Sequence, residues 1–370
     1  MQRHILLSLL LALPFGFLRA ENQTVSDFDH TPVETHEDED INDVIMHHIG
    51  DSYDWHLFDW KGHAVSVSLP VILYTKEGFV CFSSGKFHHA DKVKEVVEAK
   101  GQRFVKFHEK IYYAGDAADA EGSYISLDGD HHAMNAKPID ISITKNVASL
   151  FITAFLMLII ILPAAAFYRK KGALTAPKGI AAFIEPLVVF IRDEIALNNI
   201  GEKHHRRFVP YLLSLFFFIW IANMLGLVPF FPGGANLSGN IAFTMVLAVM
   251  TLLIVNFNGK KDYWKHIFWM PGVPIPVRIL LAPIELVSVF AKPFALMIRL
   301  FANMTAGHIV ILSLISLIFV LDSIWVSPAS IILTLFIFVI KVLVALLQAY
   351  IFALLTALFI GQAVEEHEHH

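Results

Sequence analysis

Two apolar runs near the C-terminus constrain the fold of this chain more than any other feature. They extend over residues 280–320 and 328–363 and contain few charged side chains. At about 1.5 Å per residue, helices of this length are about 55–60 Å long, roughly twice the thickness of the hydrocarbon core of a bilayer. The runs therefore predict either continuous helices tilted by roughly 60° from the membrane normal or broken helices, which Pro283 and Pro293 permit in the first run.

Three shorter apolar segments precede these runs and are long enough to cross a membrane as helices. They are residues 146–168, 208–231 and 240–257. Hydrophobic residues make up 56% of the 370 residues and charged residues 16%, and the apolar residues concentrate after Asn146. We therefore expect an all-α polytopic membrane domain over 146–366. The segment 180–197 mixes charged and apolar residues and predicts an amphipathic helix at the membrane surface.

The charged residues between these segments predict the orientation of the chain. Basic residues cluster in three segments, 169–171, 202–207 and 258–266. The loops 232–239 and 321–328 contain a single charge, Asp322. The positive-inside rule places the basic segments in the cytoplasm, together with the C-terminal tail 367–370.

The N-terminus has the pattern of a secretory signal peptide. Residues 1–20 combine a basic start, an apolar stretch of about 14 residues and a small residue, Ala20. A membrane anchor is the alternative, but the stretch is shorter than the roughly 20 residues of a spanning helix. Cleavage places the segment 21–145 outside the cytoplasm, which agrees with the orientation that the basic segments indicate.

The exported segment 21–145 predicts a small α+β domain with a disordered acidic start at residues 22–50. Alternating apolar residues predict three strands, over 63–75, 78–85 and 103–115. A short helix is predicted over 90–101, ended by Gly101.

This exported segment shows no recognisable cofactor motif. Six of its histidines lie in pairs: His47, His48, His88, His89, His131 and His132. Their spacing matches no metal motif, and we favour a solvated surface over a metal site. The segment GFVCFSSGK lacks the spacing of a phosphate loop, and Phe87 stands where serine or threonine is needed. The single cysteine, Cys81, excludes an intrachain disulfide.

One arginine, Arg299, lies in the middle of the first long apolar run. A guanidinium in hydrocarbon costs at least about 2.5–3.5 kcal/mol, so it needs a partner, a water-filled cavity or a functional role. At about 100° per residue, four other polar residues lie within about 40° of it and form one stripe. These are Glu285, Lys292, Asn303 and Ser313. His308 lies on the opposite side of the predicted helix.

The second long run carries its own polar stripe. Thr334, Lys341 and Gln348 are spaced by seven residues and lie on one helix face, which Gln362 extends. If the two runs form a helical hairpin, Gln348 approaches Arg299.

The other polar residues of the first stripe can each have a purely structural role. Lys292 can extend to a membrane interface, and Glu285 can pair with it. Asn303 and Ser313 can join helices by hydrogen bonds. Arg299 is harder to explain in this way, because ionisable side chains at mid-membrane depth usually mark functional sites.

Several of these segments resemble one protein family. RLFANMTAGH (299–308) resembles the signature of subunit a of F-type ATP synthases. FVPYLLSLFFFIWIANMLGLVP (208–229), PIELVSVFAKPFALMIRLFANM (283–304) and LLQAYIFALLT (346–356) resemble further helices of that family. The resemblance extends over roughly 146–366 and does not include the exported domain.

The resemblance implies a proton-translocating stator subunit in a bacterial inner membrane, with a periplasmic N-terminal domain. It implies a ring of c subunits, peripheral-stalk b subunits and the rest of the synthase as partners, contact with membrane lipid, and no nucleic acid. The chain itself is then not an enzyme and has no nucleotide site, cofactor or metal. The sequence does not decide between protons and sodium ions, and our expectation is protons.

The resemblance also implies roles for individual residues. Arg299 is then the essential charge that faces the c-ring carboxylates between two half-channels. Asn303 and Gln348 match polar positions that line the ion path or orient the arginine, and Glu285 matches an acidic position. His308 occupies a position suited to a proton relay. The remaining residue, Lys341, departs from the histidine, glutamate or small residue of related proteins; Lys292 and Ser313 are further polar lining.

Two other interpretations compete with this one. A stand-alone transporter or channel would use Arg299 to bind an anionic substrate, but the membrane segments contain no inverted repeat. A non-catalytic anchor would tolerate the loss of Arg299. For the exported domain, a cap around the periplasmic entrance, a contact with another stator subunit and a metal-binding module all remain open.

Overall fold

The computed structural model describes most of the chain after residue 49. The described residues are 50–60, 63–87, 95–118, 122–128, 132–172, 175–228, 231–270, 273–320 and 326–365. The predicted signal peptide, nearly all of the acidic segment 22–50 and the tail 367–370 lie outside them. So do five of the paired histidines: His47, His48, His88, His89 and His131.

The described part of the segment 21–145 is a β-rich domain. In chain order its strands are β1 (Asp54–Trp60), β2 (His63–Ser68), β3 (Pro70–Thr75), β4 (Gly78–Ser83), β5 (Val96–Ala99), β6 (Gln102–Phe107), β7 (Lys110–Tyr113) and β8 (Ile139–Asp140). The pair β1–β2 is antiparallel, β3 lies between β4 and β8, and β6 lies between β5 and β7. Alternate side chains of β3, among them Val71 and Leu73, are fully buried and form a core together with Phe104 of β6.

The helix predicted over 90–101 is wrong for the residues that the structure describes. Val96–Ala99 forms strand β5 and pairs with β6. Lys100 and Gly101 have φ values of 50° and 72° and make the two-residue turn of this hairpin. A Lys-Gly pair that suggested the end of a helix is a hairpin turn, and the β-branched Val96 and Val97 favour the strand. The described domain is therefore β-rich rather than α+β.

Two of the three predicted strands are divided in the structure. The segment 63–75 contains β2 and β3, which separate at Leu69. The segment 103–115 contains most of β6 and all of β7, joined by a turn at His108 and Glu109, whose φ values are 44° and 53°. Because this turn contains no glycine, asparagine or proline, its sequence gives no turn signal. The strand predicted over 78–85 is confirmed as β4.

The membrane part is helical. In chain order its helices are α1 (Lys145–Lys171), α2 (Ile180–Phe190), α3 (His205–Leu227), α4 (Ile241–Asn258), α5 (Lys261–Phe268), α6 (Ile275–Val320) and α7 (Val326–Val364). Among the described residues, five of these, α1, α3, α4, α6 and α7, are long and apolar enough to cross a membrane. This confirms the predicted polytopic membrane domain.

The two long helices are continuous. The helix α6 has 46 residues, with Pro283 and Pro293 inside it, and α7 has 39 residues. The break that these prolines permit is therefore absent from α6, because each proline removes only one backbone donor and the apolar pattern continues on both sides. The steep tilt of both helices in a membrane stays a prediction.

The predicted surface helix over 180–197 is formed by α2 and by a π-helical continuation, Ile191–Leu197, which ends in the turn Asn198–Ile200. One face is buried and carries Ile184 and Ile195; α2 packs against α1, and the π-helical continuation packs against α3. The opposite face is exposed and carries an ion pair between the Arg192 Nε and Asp193 Oδ1 atoms at 2.6 Å. The segment is thus amphipathic, and its place at the membrane surface stays a prediction.

Helices α3 and α7 form the most tightly packed pair of the bundle. A stripe of small side chains on α7 is buried against α3: Ala345, Ala349, Ala353 and Ala357. Small residues let the two backbones approach closely, and the Asn223 amide on α3 donates a hydrogen bond to the Ala345 carbonyl at 3.5 Å. This contact holds α7 in place and leaves its other side free to pair with α6.

Helices α6 and α7 also carry a face of exposed apolar side chains. Members of this face are Leu280, Val287, Phe290, Phe294, Ile332, Phe336, Val339 and Leu343. An apolar face of this extent is compatible with lipid or with another membrane helix, and not with water.

Candidate functional site

Helices α6 and α7 pack as an antiparallel pair, so the predicted hairpin of the two long runs is present. Hydrogen bonds join them at several levels. The Lys292 ammonium donates to the Gln362 side-chain oxygen at 3.0 Å, and the Ser330 hydroxyl donates to the Leu314 carbonyl. The first of these bonds connects the polar stripe of α6 with that of α7.

Asn303 is the centre of a small polar network between the two helices. Its side-chain amide donates a hydrogen bond of 2.7 Å to the Gln348 side-chain oxygen. Its backbone carbonyl accepts one of 2.7 Å from the Lys341 ammonium. The Gln348 side chain is buried, and its amide nitrogen has no partner among the described residues. The network therefore fixes the α6–α7 contact one turn away from Arg299.

Arg299 lies on the outer side of the helix pair. Its side chain is exposed, while Leu296 and Leu300 on the adjoining face of α6 are fully buried. Within the described part of the chain, the Arg299 guanidinium has no hydrogen bond, ion pair or aromatic contact. Gln348 was expected to approach Arg299. It bonds instead to Asn303, one turn further along α6.

His308 lies on the inner side of α6, as the helical periodicity predicted. Its Nε2 atom is buried and has no hydrogen-bond partner among the described residues. This atom is 3.9 Å from the position that a Cβ on Gly226 of α3 would occupy. The absence of a side chain at Gly226 therefore makes room for the imidazole between α3 and α6.

Lys341 crosses α6 at Gly307, directly beside His308. A Cβ on Gly307 would lie 1.5 Å from the Lys341 Nζ and 2.0 Å from its Cε. Only glycine leaves space for the lysine to reach the Asn303 carbonyl. Sequence reasoning missed this role of Gly307, although a glycine inside a long helix is a signal of close approach by a neighbouring group.

The other end of the α6 stripe has a separate set of polar groups. The Glu285 carboxylate lies 3.9 Å from the His266 ring on α5, an ion pair when the histidine is protonated. Arg278 stacks on Trp269 with its guanidinium carbon 4.4 Å from the ring centroid. Ser313 is exposed, and no described contact gives it a role.

Sequence reasoning also missed a set of buried polar groups that come from other elements than α6 and α7. Their side-chain oxygen or nitrogen atoms are buried without a partner among the described residues: Ser149, Thr153, Asn223, Asn236 and Ser238. The 3₁₀ turn Leu237–Gly239 contacts both α1 and α6, so several of these groups lie on the His308 side of α6. No pattern in the sequence brings these three elements together.

Within the described ranges, no three His, Cys, Asp or Glu side chains lie close enough to hold a metal ion. Of the paired histidines in the segment 21–145, His132 alone is described.

Comparison with known proteins gives two family matches. A family model described as "ATP synthase A chain" matches residues 147–361. A second model, a domain of unknown function (DUF8433), matches residues 44–141, which correspond to the β-rich domain and the segment before it.

Curated relatives match the membrane part. The chain is 44% identical over 236 residues to "ATP synthase subunit a" of Chloroherpeton thalassium, covering 62% of this chain and 69% of that protein. It is 46% identical over 237 residues to "ATP synthase subunit a 2" of Chlorobaculum tepidum, covering 62% and 66%. It is 44% identical over 239 residues to "ATP synthase subunit a" of an Anaeromyxobacter species, covering 62% and 56%.

The matched segment 147–361 includes all five candidate spanning helices except their outermost turns, together with the Arg299 region and the network around Asn303. The resemblance that the motif RLFANMTAGH indicated is confirmed over this length. The chain belongs to the ATP synthase A chain family.

Proposed function

We propose that this chain is the proton-translocating stator subunit of an F-type ATP synthase and that Arg299 faces the membrane-embedded carboxylates of a ring of c subunits. The proposal rests on the surroundings of the Arg299 side chain. It is exposed on the outer side of the α6–α7 pair, beside an apolar face, and has no partner among the described residues.

A cation at the depth predicted for Arg299, in the middle of the membrane, needs a counter-charge. An uncompensated arginine on an apolar membrane face is costly, and the polar residues that flank it on α6 are already engaged with α7. The missing anion therefore belongs to another chain. A carboxylate on a helix that docks against the exposed apolar face satisfies this requirement.

Two polar regions on either side of Arg299 support a pair of half-channels. Glu285 and His266 lie towards one end of α6, and His308 and Lys341 towards the other. Since α6 is continuous, the 1.5 Å rise per residue separates Glu285 from His308 by about 35 Å along the helix. At the predicted tilt of roughly 60° this is about 17 Å along the membrane normal, so the two regions lie at different depths on either side of Arg299. Each region can thus connect to the water on one side of the membrane.

In the proposed mechanism, Arg299 separates the two regions electrostatically. Arginine keeps its proton in proteins, so it displaces the proton from an arriving carboxylate and cannot pass it on. A proton that enters through one region must then travel with the ring to reach the other. Each charge that crosses the membrane contributes about 2.3 kcal/mol per 100 mV.

The remaining predicted residues support this path. Asn303 and Gln348 hold α6 against α7 beside the arginine, and His308 is the relay in the half-channel on its side. Lys341 supplies a positive charge next to that relay, and Lys292, bonded to Gln362, and Ser313 line the face towards the ring.

The orientation also belongs to this proposal, with the signal peptide cleaved, the β-rich domain in the periplasm and the C-terminus in the cytoplasm of a bacterium. The Lys260 ammonium bonds to the His204 ring at 3.0 Å, and its backbone N–H donates to the Ala363 carbonyl. The basic ends of α3 and α4 thus meet the end of α7 on one side of the bundle, as the positive-inside rule requires. Peripheral-stalk b subunits are expected at the same side.

The direct test is ATP-driven proton pumping in inverted vesicles that contain the whole synthase with Arg299→Ala. We expect pumping to fall to background, because the c-ring carboxylates lose their counter-charge. Co-purification of the c ring and the ATPase subunits shows that the complex is assembled.

Arg192→Ala is the matched control, since it removes an exposed arginine of the same chain that is paired with Asp193, and it should pump normally. Retained pumping with Arg299→Ala would instead favour the anchor. An assembled chain that transports an anion without a c ring would favour the stand-alone transporter.

A further inference from the structure

The β-rich domain is fixed directly to the first turn of α1. The Ser52 carbonyl accepts a hydrogen bond of 2.8 Å from the Lys145 backbone N–H. The Asp51 carboxylate accepts one of 3.0 Å from the Asn146 backbone N–H and one of 2.9 Å from the Thr144 hydroxyl. These bonds satisfy donors at the helix start that have no partner within the helix. The domain is therefore a cap of α1 and not a loosely tethered module.

A second attachment joins the domain to the loop between α3 and α4. The Trp55 indole N–H donates a hydrogen bond of 3.1 Å to the Gly233 carbonyl. The ring packs edge-on against Phe231, with ring centroids 5.2 Å apart, and the tryptophan is only 4% exposed. A buried tryptophan that combines a large apolar contact with a hydrogen bond is a typical anchor of an interface.

The far end of the same loop touches α6 beside His308. The Thr305 hydroxyl on α6 donates a hydrogen bond of 3.4 Å to the Gly239 carbonyl. The Ala235 carbonyl lies 3.2 Å from the position of a Cβ on Gly226, the same position that lies 3.9 Å from the His308 Nε2 atom. The loop is thus held by the β-rich domain at Gly233 and reaches the histidine pocket at its other end.

Two polar side-chain atoms of this loop have no hydrogen-bond partner among the described residues. The Asn236 side-chain nitrogen and the Ser238 hydroxyl are both buried and unbonded, while the Asn236 side-chain oxygen accepts a bond of 3.0 Å from the Gly239 backbone N–H. Buried polar groups of this kind usually bond to ordered water. The loop therefore carries two candidate sites for water, and its Ala235 carbonyl and the His308 Nε2 atom, which also lacks a described partner, both approach Gly226.

We propose that the β-rich domain positions the loop Phe231–Gly239 against α6, with Trp55 as the positioning residue, and so maintains the polar entry to His308. This gives a role to the segment that matches a domain of unknown function. The part that concerns His308 rests on the proposed proton path, whereas the positioning of the loop does not.

A cysteine-reactivity experiment tests the loop without reference to transport. The chain has one cysteine, Cys81, so Cys81→Ser gives a cysteine-free background, in which Ser238→Cys is a conservative probe. Ser238 is 1% exposed, and the probe should react slowly with a membrane-impermeant maleimide in the assembled synthase. Adding Trp55→Ala should speed the reaction by more than about tenfold, because it removes both the apolar contact with Phe231 and a hydrogen bond whose loss alone corresponds to about twofold to tenfold.

Two further variants keep this test decisive. Phe79→Ala removes an exposed aromatic of the same domain that packs on Tyr74, and it should leave the reactivity unchanged. Trp55→Phe keeps an apolar ring against Phe231 and removes the hydrogen bond, so it should give a rise of about twofold even if Trp55→Ala does not assemble. Equal reactivity in Trp55→Phe and Phe79→Ala would overturn the proposal.

A second measurement addresses the entry to His308. Pumping per assembled complex should fall by about threefold in Trp55→Ala, and its dependence on the pH of the compartment that contains the β-rich domain should shift, while Phe79→Ala keeps both. A purely structural role would lower the amount of complex and leave the rate per complex and its pH profile unchanged. If Arg299→Ala pumps normally, the proposed function fails, and the reactivity result still decides the role of Trp55.

Discussion

On the outer side of α6, Arg299 is exposed and has no partner within the described residues, whereas on the inner side Gly307 and His308 are enclosed by α3 and α7. Asn303 lies between them and bonds to α7 by its side chain and its carbonyl. Under the proposed function, the same helix has one side completed by this chain and one side, with Arg299, that is incomplete without another chain. Loss of an outer group should affect transport alone, and loss of an inner group should affect both transport and stability.

Among the variants that distinguish the two sides of α6, we expect the largest effect from Arg299→Lys. Lysine keeps a positive charge but lacks the planar fork of the guanidinium and can lose its proton when desolvated. We expect pumping per assembled complex at less than about a tenth of the normal rate, with an unchanged melting temperature. Arg192→Lys should change neither. A lower melting temperature in Arg299→Lys would contradict the assignment of this residue to the incomplete side.

A smaller effect, on stability as well as transport, is expected from Gly307→Ala. The added Cβ would displace the Lys341 ammonium and break its bond to the Asn303 carbonyl, which costs about 1.5–3 kcal/mol as a hydrogen bond to a charged group. Alanine offsets roughly 0.8–1.0 kcal/mol of this by its helix propensity. Denaturation in detergent and pumping in vesicles should both show the loss.

The same substitution has a matched control in the background Lys341→Ala. There the space above Gly307 is empty, so Gly307→Ala should cost nothing or stabilise the helix slightly. An equal loss of stability in both backgrounds would mean that Lys341 does not occupy this space.

The smallest effect is expected from Gln348→Ala, which removes the bond to the Asn303 amide at 2.7 Å. We expect about 1 kcal/mol of stability to be lost and pumping to slow by about twofold to fivefold. The double variant with Asn303→Ala should cost less than the sum of the single variants, because both remove one bond. Leu347→Ala, which truncates an exposed neighbour, is the control, and additive losses would argue against the direct contact.

Much of the membrane part follows from hydrophobic pattern alone. The long apolar runs predicted α6 and α7, and helical periodicity correctly separated His308 from the side of Arg299. The β-rich domain was harder to predict, because short apolar stretches are compatible with helix or strand. The turn at His108 and Glu109 lacks the usual turn residues. The sequence of β5 is compatible with a helix, and only its pairing with β6 identifies it as a strand.

Some residues of the candidate site can likewise be predicted from the sequence, and others cannot. The sequence marks Arg299, Asn303, His308, Lys341 and Gln348, because polar residues in an apolar run are costly and therefore conspicuous. The sequence does not identify Gly307 or Gly226 as part of the site. A glycine matters at these positions only because another group packs closely against it in the fold.

Hydrophobic pattern and motif are enough to predict a polytopic membrane domain, the side of α6 on which each polar residue lies, and the family of the chain. Three features could be found only in the folded chain: Lys341 crosses Gly307, Arg299 has no partner among the described residues, and Trp55 joins the β-rich domain to the loop beside His308. The difference lies in the separation of the residues along the chain. Hydrophobic periodicity is a local property of one segment, whereas these contacts join segments that are far apart in the chain, and no local pattern records them.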